Sequence, residues 1–411
     1  MKVLHAPMNF AMQPMLIVEE LKKKGVDAKH VQYLARQHDL NFRMDTVYKP
    51  QDTNILAMQL KALNDSLDEG FDIYHFWQRS FVFRHDGTGL TGLDLPILKA
   101  HQKRILHRFT GFDLRMPKED MEVNPYSPFR YGYKYPFNEK RQREYIDFLR
   151  NYVDEFIVQD PELQQFMPEA KLIPRALDLK DWAFVGIKKT DCPLIVHAPT
   201  NMGCKGTPFI MKAIEQLQSE NIKFDFKLIS NMSHDEAREW YKKADIIVDQ
   251  ILIGATGVLT LEGWALGKPV VIYLREDLFK PFYGDIPAAN ANPDNITDVL
   301  RGLIKDFDLR QELSLKGRKA VEQFHNIEHI TDQCLDLYKA VLKQPIKIPE
   351  SSSNQYILNR YNEFTPMHEG IFRFKTLLKQ KLPTPLIRIL KAIIFQKSLT
   401  ATLHAIKQVF R

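Results

Sequence analysis

The chain has 411 residues, enough for two domains at roughly 100–200 residues each. Its 44% apolar and 26% charged residues match a folded globular protein and exclude a disordered, collagenous or disulfide-scaffold chain. The net charge of +6 hides an asymmetry: nine Lys or Arg and no acidic residue lie between Ile371 and Arg411, leaving the first 370 residues at −3.

Cys192, Cys204 and Cys334 form no CxxC pair, which argues against a structural zinc site or a secreted disulfide framework. No stretch approaches the roughly 20 unbroken apolar residues of a membrane span. The opening MKVLHAPMNF enters a strand-like run without the apolar core of a signal peptide. The expected location is therefore cytoplasmic.

Elements follow in βα order. Lys2–His5 reads as a strand, Met15–Lys24 as a helix and Val26–Tyr33 as the next strand. Asn54–Leu67 is helical, Phe71–Phe76 a strand, Leu95–His101 the start of a helix, and Arg104–Phe109 a strand. Pro117–Arg143, rich in Pro, Tyr and charge, reads as a surface excursion or as an acceptor-facing loop. It leads into the helix Glu139–Tyr152 and the strand Glu155–Gln159. The pattern then repeats. Leu194–His197, Phe224–Ile229, Ile246–Val248 and Pro269–Tyr273 are strands. Between and after them lie helices over Pro208–Gln218, His234–Lys243, Gly257–Leu266, Asp294–Asp306, Asp308–Phe324 and Ile330–Leu342. This is α/β: two doubly wound, Rossmann-like parallel-sheet domains, expected at 1–180 and 181–345, with a linker and tail at 346–411.

The tail has helical periodicity, with Leu386, Ile389, Leu390, Ile393 and Ile394 on one face and Arg388 and Lys391 on the other. It reads either as helices packed on the body or as an anchor to an anionic membrane surface, each basic group contributing about 1 kcal/mol there. No recognition helix, zinc finger or basic-aromatic platform points to nucleic acid.

Ligands of such sheets bind outside the strand C-termini, with anions at helix N-termini. Three turns qualify. In HAPTNMGCKGT (His197–Thr207), Gly203 and Gly206 loosen a loop and Lys205 stands just before a helix, placed to meet a diphosphate as a point charge. In ADIIVDQ (Ala244–Gln250), Asp249 and Gln250 end a strand toward the same crevice. In GATGVLTLEGWALGKPVV (Gly254–Val271), small residues open a helix that carries Glu262 among apolar neighbours. A carboxylate there needs donors, which sugar hydroxyls or buried amides can supply. His5, His75, His107 and His197 sit on or at the ends of apolar strands and read as structural. Asp113 and Arg115 follow a strand end and read equally as an acceptor-binding pair or as a helix-cap pair. Arg84 and Asp86 fall in a cleft loop.

The order HAPTNMGCKGT, YKKADIIVDQ, GVLTLEGWALGKPVV resembles the C-terminal half of nucleotide-sugar glycosyltransferases of the GT-B fold, in the retaining, metal-independent group related to sucrose synthase and mannosyltransferases. HAPMNFAMQ, FDIYHF, LDLPILKAHQKRILHRFTGFDLR and VQDPELQQFMPEAKLIPRALDL resemble its N-terminal half and the crossing between halves. The resemblance covers roughly residues 1–342. It implies two domains facing a cleft and a nucleoside diphosphate sugar as donor. The acceptor would be a glycan or lipid-linked, in cell-surface polysaccharide or glycoconjugate synthesis. Neither cofactor nor metal is implied. Lys205 and Gly206 would meet the diphosphate with the Thr256–Gly257–Val258 amides, Glu262 would hold the ribose, and Asp113 and Arg115 would face acceptor. The family's arginine, first carboxylate, N-terminal histidine and glycine-rich opening loop are replaced here by Met202, Gly254, Thr110 and Phe10–Met12. The alternative is a non-catalytic protein of this fold that partners an active glycosyltransferase.

Overall fold

The structure is a computed structural model, which describes residues 1–33, 45–49, 55–84, 91–347, 349 and 356. The chain forms two compact units. One comprises Met1–Asp113, Pro136–Ile157 and the stretch from Thr331, and the other Leu114–Tyr135 and Val158–Ile330. The division thus runs differently from a single cut near residue 180.

In the first unit, strands β1 (Lys2–Ala6), β2 (Asp27–Tyr33), β3 (Thr46–Tyr48), β4 (Ile73–Trp77), β5 (Arg104–Phe109) and β6 (Glu155–Val158) lie in the order β3-β2-β1-β4-β5-β6. β1 pairs in parallel with both β2 and β4, His5 lying opposite His30 on one side and His75 on the other. Parallel strands are covered on both faces and so read as near-continuous apolar runs. β4 and β5 are buried at every position. The helices Gln13–Lys23, Ile55–Asp68 and Glu139–Tyr152 supply Ile17, Leu21, Leu60, Leu63, Phe148 and Leu149 to that core. Each such side chain contributes about 1.5–3 kcal/mol when fully buried. Tyr338, on the helix Ile327–Lys343, accounts for two of the strand histidines: its hydroxyl lies 3.0 Å from His5 Nε2 and 2.7 Å from His75 Nδ1.

The second unit holds the two-residue strand β7 (Lys171–Leu172) and a sheet of β8 (Leu194–His197), β9 (Asp225–Leu228), β10 (Ile246–Val248), β11 (Val270–Ile272) and β12 (Ala289–Asn290). Its order is β12-β11-β10-β8-β9, and every pair is parallel. Ile195, Ile246, Val248 and Val271 pack with Ile210, Ile214 and Leu217 of the helix Thr207–Ser219 and with Leu300 and Leu303 of the helix Ile296–Lys305. Ser233 and Glu236 form a reciprocal capping box that starts the helix His234–Lys243.

Leu114–Tyr135 belongs to this second unit although it follows β5 in sequence. Its buried Asn124 donates to the Leu252 carbonyl at 2.8 Å, and Tyr131 meets Phe209 edge-on at 4.8 Å. Two further elements escape a sequence reading. Met202–Lys205 is one helical turn rather than loop. Glu276–Tyr283 is a helix that contains Pro281, which in sequence reads as a break. Among the described residues no helix is long and apolar enough to cross a membrane. The basic stretch 371–411 and Asp86 lie outside the described residues.

Candidate functional site

In the second unit β9 lies on one side of β8 and β10 on the other, so the strand order reverses between β8 and β10. Such a reversal opens a crevice beyond the strand C-termini. Lys205 leaves from β8, and Asp249 and Gln250 directly follow β10. The two strand ends are tied by His197, whose Nδ1 lies 2.9 Å from the Val248 carbonyl oxygen and whose Nε2 lies 2.8 Å from Thr207 Oγ1. Burial lowers the His197 pKa to about 4, so the ring is neutral and structural.

Asn201 Oδ1 caps the turn Met202–Lys205 by accepting from the Cys204 amide at 3.1 Å. At the end of that turn Gly206 lies against Ile251 and Leu252. Lys205 Nζ donates to Asp249 Oδ1 at 2.8 Å and to Gln250 Oε1 at 2.7 Å. The second Asp249 oxygen accepts from Thr260 Oγ1 at 2.6 Å. Burial pushes the Asp249 carboxyl pKa up, but the Lys205 ammonium and the Thr260 hydroxyl outweigh it and hold the group below the usual carboxylate range.

Thr260 stands in the first turn of the helix Val258–Ala265, capped by Gly257. The first intrahelical bond runs from the Leu261 amide to the Gly257 carbonyl at 3.3 Å. The amides of Val258, Leu259 and Thr260 therefore precede the helical ladder, as orphan donors at a positive helix end. A Cβ at Gly257 would collide with the Asp249 carboxylate and stand 3.2 Å from Lys205 Nζ. The ammonium is thus beside the helix N-terminus. Thr256, by contrast, turns its hydroxyl inward to Asp160 at 2.7 Å and accepts from Arg175 at 3.2 Å.

Glu262, one turn further along, is 4% exposed, and His234 Nε2 reaches its Oε1 at 2.8 Å. The His234 ring meets Trp182 edge-on at 5.8 Å, and the Arg238 guanidinium stacks 4.2 Å from the Trp182 ring centre. Sequence reasoning found Glu262 but not His234, an unremarkable residue at a helix start.

The structure accounts for two departures from the family pattern. Gly254 has φ +77, and a Cβ there would press on Tyr273 and Arg275 at 3.1–3.2 Å, so no carboxylate fits without displacement. Ala11 and Met12, with φ 47 and 63, take the left-handed backbone that favours glycine.

Asp113 and Arg115 are both buried and engaged. Asp113 accepts from the Thr110 amide at 3.0 Å and the Gly111 amide at 2.6 Å, closing a turn in the first unit. Arg115 makes a two-pronged pair with Glu162 in the second unit, at 2.8 and 2.5 Å. Arg84 is exposed, its amide bonded to Thr91 Oγ1 at 3.1 Å. Among the described residues no group of His, Cys, Asp or Glu could hold a metal ion.

No protein-family description matches the chain. An uncharacterized glycosyltransferase of Methanocaldococcus jannaschii is 24% identical over 112 residues, covering 26% of this chain and 29% of that protein's length. Among solved structures, sucrose-phosphate synthase from Thermosynechococcus elongatus is similar at TM-score 0.57 and 14% identity, over 83% of this chain and 99% of that one. Anabaena HepE, in complex with UDP and glucose, is similar at TM-score 0.56 and 10% identity, over 83% of this chain and 100% of that one. A second HepE structure carries UDP-glucose. These neighbours are GT-B glycosyltransferases, and the two parallel α/β units of this chain have the GT-B fold.

Proposed function

We propose that the chain is a glycosyltransferase that moves a sugar from a nucleoside diphosphate sugar to a glycan or lipid-linked acceptor, with retention and without a metal ion. The setting is the synthesis of cell-surface polysaccharide or glycoconjugate. The observation that carries this is the convergence of the Lys205 ammonium and the Val258–Ala265 helix N-terminus at the β8–β10 reversal. A cation beside orphan amides suits a diphosphate. The UDP and UDP-glucose complexes of HepE support a nucleoside diphosphate sugar as that ligand.

In the transfer, the bond from the anomeric carbon to the diphosphate oxygen breaks and its electron pair stays with the diphosphate. The acceptor oxygen bonds that carbon and gives its proton to an oxygen of the departing diphosphate. Lys205 and the Val258–Thr260 amides would stabilise the charge growing on the leaving group, a kind of contact worth about 10²–10³ in rate. Glu262 would hold the ribose through the carboxylate oxygen that His234 leaves open.

A second reading has support in Met202, Gly254 and Thr110, which replace family site residues. In it the chain is a non-catalytic GT-B protein that partners an active transferase. Turnover separates the two. With its donor sugar and acceptor, the protein should transfer sugar, and Lys205→Ala should abolish transfer. No transfer from any UDP-, GDP- or ADP-sugar, together with capture of an active transferase that Lys205→Ala leaves intact, would favour the partner reading.

A further inference from the structure

A lysine ammonium has three N–H donors. Lys205 gives one to Asp249 and one to Gln250, which leaves one. Both partners are buried, Asp249 at 1% and Gln250 at 3% exposure. Neither is loosely held. Asp249 is fixed by Thr260 on the helix Val258–Ala265, and the Gln250 amide donates to the Ala255 carbonyl just before that helix. The ammonium is therefore gripped between the end of β10 and the turn Ala255–Gly257.

The electrostatics require such a grip. A helix N-terminus carries about half a positive charge, so an ammonium set beside it is repelled unless an anion stands in contact. Before a ligand arrives, Asp249 is that anion. The turn is shaped around it, since only a residue without Cβ at position 257 leaves room for the carboxylate. Both Asp249 oxygens are engaged, so Asp249 does not substitute for the carboxylate missing at Gly254. Its work is done through Lys205.

We infer that Asp249, assisted by Gln250, is a positioning residue. It keeps the Lys205 ammonium beside the Gly257 turn with one N–H free for a diphosphate. This rests on the reading of Lys205 as a diphosphate ligand. The Asp249–Gln250 pair then prepares the site in advance, so the ligand meets an ordered cation rather than a mobile lysine.

The test is calorimetry of inorganic pyrophosphate binding to full-length protein, for wild type, Asp249→Asn, Lys205→Ala and the double variant. Each single change should weaken binding about tenfold, the size of one lost charge-assisted contact. The double variant should bind no more weakly than the weaker single one, because both changes disable the same ammonium. Losses that add, or unchanged or tighter binding by Asp249→Asn, overturn the assignment. Should Asp249→Asn fail to fold, Gln250→Leu leaves the charges in place and should still weaken binding, and unaltered affinity there overturns the assignment equally. Wild-type protein that binds no pyrophosphate also overturns it. Coupled pyrophosphate binding without sugar transfer would leave the positioning role standing and remove the transferase reading.

Discussion

His234 Nε2 lies 2.8 Å from Glu262 Oε1, which joins a half-exposed imidazole to a carboxylate that is largely buried. The hydrogen bond to Glu262 raises the His234 pKa above its usual 6.5, against the opposing effect of burial. Burial raises the Glu262 pKa, with His234 opposing. A raised histidine pKa stabilises the fold fully below the unfolded value, and that stability is lost as pH rises through the folded value. His234→Ala should therefore cost more stability near about pH 5.5 than near about pH 9. The difference should stay below about 1 kcal/mol, because the side chain is half-exposed and solvent screens it. Urea unfolding at the two pH values checks this, and an equal loss at both contradicts it.

Arg115 and Glu162 make a two-pronged pair with side-chain exposures of 4% and 1%. Removing one partner of a buried pair strands the other charge, at a cost of about 3–5 kcal/mol. Arg115→Ala should lower the unfolding free energy by that amount, as measured by chemical denaturation. If it left stability intact and raised only the KM for acceptor, the residue would instead be an acceptor contact.

Gly257→Ala adds one methyl group where the Asp249 carboxylate stands. Overpacking of this kind costs about 1–3 kcal/mol. The variant should melt at a lower temperature and bind diphosphate more weakly, since relief of the clash moves Asp249 away from Lys205. A variant with unaltered melting and binding would mean that the turn is not packed against the carboxylate.

The basic stretch 371–411 carries its own expectation, drawn from charge and periodicity in the sequence. Protein truncated before Ile371 should no longer pellet with anionic liposomes, whereas the full chain should, and neutral liposomes should bind neither. Pelleting that survives truncation would rule out the tail as a membrane anchor.

Much of the fold was legible in the sequence for one physical reason. Parallel strands buried on both faces, such as Ile73–Trp77 and Ile246–Val248, read as apolar runs between amphipathic helices. Lys205, Gly257 and Glu262 could be singled out because strand-to-helix turns are where such sheets bind anions. Their convergence could not. Lys205 and Asp249 are 44 residues apart and meet only because β8 and β10 are neighbours in the sheet. Nor could burial of the charged Arg115 be read, because a paired ion and a solvated one look alike in sequence. The assignment of Leu114–Tyr135 to the second unit depends on contacts such as Asn124 to Leu252, which no local pattern encodes.

The donor site is tested by calorimetric titration of the full chain with UDP, GDP, ADP and CMP, with Lys205→Ala as the control. One of the nucleoside diphosphates should bind, Lys205→Ala should weaken it at least about tenfold, and CMP, with a single phosphate, should bind less well. If none of them binds, or if Lys205→Ala leaves binding unchanged, the Lys205–Gly257 turn is not a donor site.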